Sequence, residues 1–256
     1  MPPKAASKPI PTHFLCLPLV TAASRPQLTS SVAAFAQDVT SPTAVGGFDF
    51  PAQAVRPIGT IHLTLGTFSF PPTSDSETKS LEAAAAVLKA GQWREVLSNA
   101  RTAAASRTAV AGVSTSAADA PLTITLRGLS SMQNPSKASV LYAPPVDQHG
   151  VLQTFGEQVR KVFLDEGLLT EEDRPLLLHA TLVNTIYVRS GGRRGAGGKK
   201  ERITLDARAA LDRYDDQVWM KDVTLEKIAI CKMGAKKVSV DGIEDEEYEI
   251  EAEVLL

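Results

Sequence analysis

Hydrophobic residues along the chain follow two rhythms. Short apolar runs closed by Pro, Gly or polar clusters predict strands. These are THFLCLPLV (12–20), AVRPIGTIHLTLGTFSF (54–70, stopped by Pro71 and Pro72), PLTITLRGLSSM (121–132) and ASVLYAPPV (138–146), the last two joined by QNPSK as a hairpin-like connection. LLLHATLVNTIYV (176–188), VTLEKIAICKM (223–233) and YEIEAEVLL (248–256) continue the series. Helical spacing appears in QLTSSVAAFAQDV (27–39), in the Ala-, Leu- and Glu-rich stretch from Ser76 to about Asn99, and in the segment where Val151, Phe155, Val159, Val162 and Phe163 form one stripe. TLDARAALDRY adds a short helix with Thr204 or Asp206 placed to cap it.

Between these elements the apolar period disappears in three places. Residues 1–9 form a flexible N-terminal tail, residues 102–120 are nearly all small and polar, and RSGGRRGAGGKKER (189–202) is a glycine-rich basic linker. Strands alternating with helices over residues 10–256 predict a single layered domain of mixed α and β rather than two independent ones.

Composition narrows the possible chemistry. The 256 residues carry a net charge of −2, so nothing global recruits nucleic acid or an anionic membrane, and an anion site must be built locally. MPPKAASKPI lacks the apolar core of a signal peptide, and no run reaches the ~18 apolar residues of a membrane helix. Cys16 and Cys231 lie inside apolar runs and read as buried free thiols. The expectation is a soluble intracellular protein, cytoplasmic and/or nuclear, without a membrane role.

The runs IHLTLGTF and LHATLVNT both contain H-x-T-L. Side chains alternate along a strand, so His62, Thr64, Gly66 and Phe68 share one face of the first, and His179, Thr181, Val183 and Thr185 one face of the second. If the second strand stays regular, Tyr187 and Arg189 also fall on the His179 face. An aromatic there can stack on a base and an arginine can pair with phosphate. Two imidazoles that titrate near neutrality can hold opposite protonation states, one taking a proton from an attacking hydroxyl and the other giving one to a leaving oxygen. Thr hydroxyls facing the same way can donate to nonbridging phosphate oxygens as charge builds on them. No metal or other cofactor is required.

The paired H-x-T strands, with THFLCLPL, LRGLSSMQNPSKASVLYA and LDARAAL, resemble the 2H phosphoesterase superfamily. The branch they resemble is the nuclear-localisation-signal domain shared by an A-kinase anchoring protein and a subunit of the activating signal cointegrator complex. The resemblance spans residues 10–256. It implies an α+β, LigT-like fold whose two pseudo-symmetric halves form a concave mixed, mainly antiparallel sheet with helices outside. It also implies His62 and His179 as the acid/base pair and Thr64 and Thr181 as phosphate ligands. The activity implied is metal-independent phosphodiester chemistry on 2′,3′-cyclic or 2′,5′-linked nucleotides or RNA ends, or binding of a mononucleotide such as AMP. Phe68, Tyr187 and Arg189 are candidates for nucleotide contacts.

Other signals reduce to structure. Gly192 to Gly195 and GGKK lack the flanking helices and the Ser or Thr of nucleic-acid and phosphate loops. Glu247, Glu249, Glu251 and Glu253 read as the solvated face of a strand rather than a metal site. His13 and His149 lack a Thr partner.

Overall fold

The computed structural model describes residues 10–70, 80–108, 121–147, 149–170, 174–188 and 203–256. The first run forms β1 (His13–Pro18), followed by α1 (Arg25–Thr40), which has Pro26 in its first turn where a missing N–H costs no hydrogen bond. The next elements are β2 (His62–Phe68), α2 (Leu81–Ala90), α3 (Trp93–Thr108), β3 (Thr123–Arg127), β4 (Ser130–Ser131), β5 (Val140–Ala143) and β6 (Pro145–Val146). The chain continues with α4 (Val151–Asp165), β7 (Ala180–Asn184), α5 (Arg208–Arg213), β8 (Val218–Thr224), β9 (Lys227–Lys232), β10 (Lys236–Val240), β11 (Ile243–Glu247) and β12 (Ile250–Leu255).

Seven strands join in the order β12-β9-β1-β2-β7-β5-β4, and each neighbouring pair is antiparallel. The two histidine strands therefore lie side by side at the centre. Leu15 and Leu17 of β1 and Leu63 and Leu65 of β2 enter the main core with Phe155, Val159 and Phe163 of α4. The even-numbered Phe14 and Cys16 form a small second cluster with Ala229 and Cys231. The sheet is thus filled by helices on one face and left for a site on the other.

A smaller sheet, β6-β3-β8, carries Trp219, whose ring meets Phe35 of α1 edge-on at 5.1 Å. Gly128, at φ 79°, turns the chain from this sheet into the larger one, and a Cβ there would lie 2.6 Å from the Asp215 carbonyl. The β10–β11 hairpin is tied back to α1 by Arg25, which donates to Asp245 at 2.8 Å and Glu247 at 2.7 Å.

Several elements depart from the sequence pattern. Of the single helix expected from Ser76 to Asn99, residues 76–79 lie outside the described residues and the rest is two helices, because the chain turns at Gly91 and the Trp93 indole folds back to donate to the Leu88 carbonyl at 2.6 Å. Residues 102–108, expected to be loop, belong to α3, which runs to Thr108. VTLEKIAICKM divides between the end of β8 and β9, which belong to different sheets. The hairpin β10–β11 is not legible in the charged stretch that forms it. Expectations for residues 1–9, 109–120 and 189–202, Arg189 included, lie outside the described residues. No helix among the described residues is long and apolar enough to cross a membrane. Cys16 and Cys231 are both buried and free, with their sulfurs 3.7 Å apart.

Candidate active site

Leu63 of β2 pairs with Ala180 of β7 in antiparallel register. One step to either side sets His62 across from Thr181 and Thr64 across from His179, all four on the face away from the helices. A two-fold axis through the Leu63–Ala180 pair exchanges one H-x-T with the other. The histidines are diagonal neighbours in this register, a relation that places residues on the order of 7–8 Å apart with their Cβ atoms somewhat closer.

Both imidazoles are oriented in the same way. His62 Nδ1 donates to the Thr60 carbonyl at 2.7 Å, and His179 Nδ1 donates to the Leu177 carbonyl at 2.8 Å. A carbonyl only accepts, so each ring carries its proton on Nδ1 and keeps Nε2 as the exchanging atom. His62 Nε2 accepts from the Thr64 hydroxyl at 3.0 Å.

The His62 ring stacks on Phe14 at 4.7 Å and meets Tyr248 edge-on at 5.4 Å. Burial drives its pKa from 6.5 down to about 4, the Thr60 hydrogen bond opposes this, and the charges of His179 and Arg56 lower it further. His62 is therefore a neutral base at physiological pH. The His179 ring sits edge-on to Tyr142 at 5.5 Å.

A hollow of about 180 Å³ opens over this face. His62, Thr64, Thr181, Arg56, Tyr187 and Tyr248 are among the residues that line it. His179 adjoins it across the strand pair but does not wall it. Burial raises the Tyr248 hydroxyl well above its ordinary range, the neighbouring Tyr187 adds to this, and Arg56 opposes it.

Two sequence expectations change here. Phe68 is not at the site. It is 0% exposed, stacked on Phe70 and edge-on to Phe163 in the core. The reason is a bulge in β2: Gly66 pairs with Leu15 and Thr64 with Cys16, leaving Leu65 without a partner and reversing the facing of the residues after it. Thr67 takes the place on the hollow that regular alternation assigned to Phe68. Gly66 is the signal for this, since a glycine inside a strand pattern marks a bulge or a close approach.

Tyr187 does reach the hollow, but through a 3₁₀ turn over Thr185–Tyr187 rather than along a regular strand. Sequence reasoning missed Arg56, Thr60, Asn184 and Tyr248. In the sequence Tyr248 is only one position of a half-buried strand. His13 bonds its neighbour Thr12 at 3.0 Å, and His149 is exposed in the turn before α4.

Residues 11–256 match the family described as AKAP7 2′5′ RNA ligase-like domain. An uncharacterised protein of Schizosaccharomyces pombe is 35% identical over 115 residues, which are 44% of this chain and 50% of that protein. The match thus spans about half the length of this curated relative. Escherichia coli LigT complexed with 3′-AMP is 14% identical, with 96% of this chain and 98% of that chain covered at a TM-score of 0.44. TT0787 of Thermus thermophilus is 13% identical, covering 96% and 97%, at 0.47. Structural similarities at that level carry no argument about chemistry. The sequence match over nearly the whole chain does carry the assignment, and the chain belongs to the AKAP7 2′5′ RNA ligase-like domain family.

Proposed function

We propose that this protein is a metal-independent phosphodiesterase that opens 2′,3′-cyclic or cleaves 2′,5′-linked phosphodiesters of nucleotides or RNA ends by two-histidine acid/base catalysis. The observation that supports this best is the symmetric pair of imidazoles, each donating Nδ1–H to a backbone carbonyl and each beside the threonine of the opposite strand.

For a cyclic phosphate, neutral His62 takes the proton of an attacking water through Nε2 as the new P–O bond forms. His179, entering in its protonated form, gives its Nε2 proton to the departing ribose oxygen as the old P–O bond breaks. The product is a phosphomonoester with a free neighbouring hydroxyl, and the proton balance is restored through solvent. The roles exchange in the reverse direction. Thr64, which at rest donates to His62, and Thr181 donate to the nonbridging oxygens. Tyr187 and Tyr248 offer ring surface to the sugar or base.

The test is to incubate the protein, with and without a strong chelator, with a panel of 2′,3′-cyclic nucleotides and 2′,5′-oligonucleotides and to resolve the products chromatographically. Turnover is expected to survive the chelator. His62→Ala or His179→Ala should remove most of it while mononucleotide affinity stays within about tenfold, or ~1.4 kcal/mol. A wild type that binds mononucleotide but turns over nothing in the panel would replace this reading with a nucleotide-binding module.

A further inference from the structure

Arg56 is 6% exposed, and its Nη2 is buried without a hydrogen-bond partner. Its backbone fixes it there. Val55 bridges to Val183, and the Arg56 N–H donates to the Leu182 carbonyl at 2.8 Å, so the segment runs on as an extension of the sheet beside β7. The guanidinium lies over the Tyr187 ring at 3.7 Å, which holds its plane, and it also hydrogen-bonds the Tyr248 side chain, leaving Nη2 as a buried donor without a partner. No carboxylate lies within ion-pair distance of it among the described residues, and none walls the hollow it faces.

A buried, uncompensated cation is costly, and removal of such a cost by an anion is a direct source of affinity. We infer that Arg56 is a third phosphate ligand of this site, its unpaired Nη2 donating to a nonbridging oxygen of the same phosphate that the two H-x-T strands hold. This rests on the reading of the site given above and adds its ionic anchor. The hollow, at about 180 Å³, is below the size that encloses a whole drug-sized ligand, so it fits the anionic part of a nucleotide and leaves the rest outside. His62 is neutral at physiological pH, which leaves Arg56 as the permanent positive charge on the hollow's wall among the described residues. A fork-shaped donor set also suits phosphate oxygens better than an ammonium does.

The experiment titrates inorganic phosphate into the full-length wild type, following the Arg56 Nε–H resonance, and measures affinity at two salt concentrations by calorimetry for wild type, Arg56→Met and Arg56→Lys. The expected results are a saturable shift of the Arg56 resonance, about tenfold or greater loss of phosphate affinity in Arg56→Met with weaker salt dependence, and partial recovery in Arg56→Lys. His62, followed by its own ring resonances, should titrate at higher pH in Arg56→Met, because the Arg56 charge beside it is gone, and phosphate should raise the His62 titration less in that variant than in wild type if Arg56 holds the anion there. A folded Arg56→Met that binds phosphate within twofold of wild type would overturn the inference. If that variant does not fold, an Arg56 resonance unmoved at saturating phosphate in the wild type overturns it equally. Phosphate bound through Arg56 in a protein that turns over no substrate leaves Arg56 standing and removes the phosphodiesterase.

Discussion

His62 shows how much one side chain's surroundings decide. The sequence supplies a histidine with an ordinary pKa; the stack on Phe14, the edge of Tyr248 and the nearby Arg56 charge make it a base that stays neutral down to about pH 4. The acid limb of kcat/KM, a property of the free enzyme, should therefore fall near pH 4 rather than 6.5. The acid limb of kcat should lie higher, because bound phosphate favours the imidazolium. An acid limb of kcat/KM at 6.5 would mean that His62 is solvated in solution.

The same shift enters stability. Between pH 6.5 and 4 the unfolded chain binds the proton that folded His62 refuses, so stability falls on acidification through that window. The contribution lost from pH 7 to 4.5 is about 2 kcal/mol, and His62→Gln should flatten urea midpoints over that range by the corresponding amount. The H-x-T residues were legible because alternation is a local property. Arg56 was not, since VRP reads only as chain before a proline, and its burial depends on β7 more than a hundred residues away.

Helices and strands were read best where one period held throughout. The stripe of α4 is an example, and Val151, Phe155, Val159 and Phe163 are all buried. The errors occur where one residue interrupts a period that otherwise continues. Leu65 bulges out of β2 and moves Thr67 to the site and Phe68 to the core. Gly91 breaks a stretch whose composition favours one long helix, because a Cβ there would lie 2.2 Å from the Trp93 ring. Gly91→Ala consequently tests whether packing or propensity sets the break. Alanine is the better helix former by about 1 kcal/mol, yet the collision with an indole anchored to Leu88 should make the variant less stable than wild type by about 1–3 kcal/mol in urea unfolding. The loss should shrink in the Trp93→Leu background, where the ring is gone. A Gly91→Ala variant more stable than wild type would show that the helices can fuse.

The pseudo-symmetry of the site invites division of the molecule into two halves, but the strand order opposes it. β1, from the start of the chain, lies between β2 and β9, and β9 in turn carries β12 from the end, so strands from both ends of the chain complete one sheet. This interleaving could not be read from the sequence, because strand neighbours far apart along the chain leave no local pattern. It predicts that the large sheet, its helices and the small sheet unfold together as one domain spanning residues 10–256. The two tryptophans test this directly. Trp93 reports on the helical layer, stacked parallel to Phe163 at 6.1 Å, while Trp219 reports on the small sheet against Phe35 and Tyr214. In Trp93→Phe and Trp219→Phe variants each remaining indole should show a single fluorescence transition, coincident with the far-ultraviolet circular dichroism of the same variant. Saturating mononucleotide should raise both midpoints together, since at a hundred times Kd it adds about 2.7 kcal/mol to a folded state that the two regions share. Separate midpoints, or a ligand shift seen by Trp93 and not by Trp219, would mean that the small sheet is a unit of its own and that the site depends on the large sheet alone.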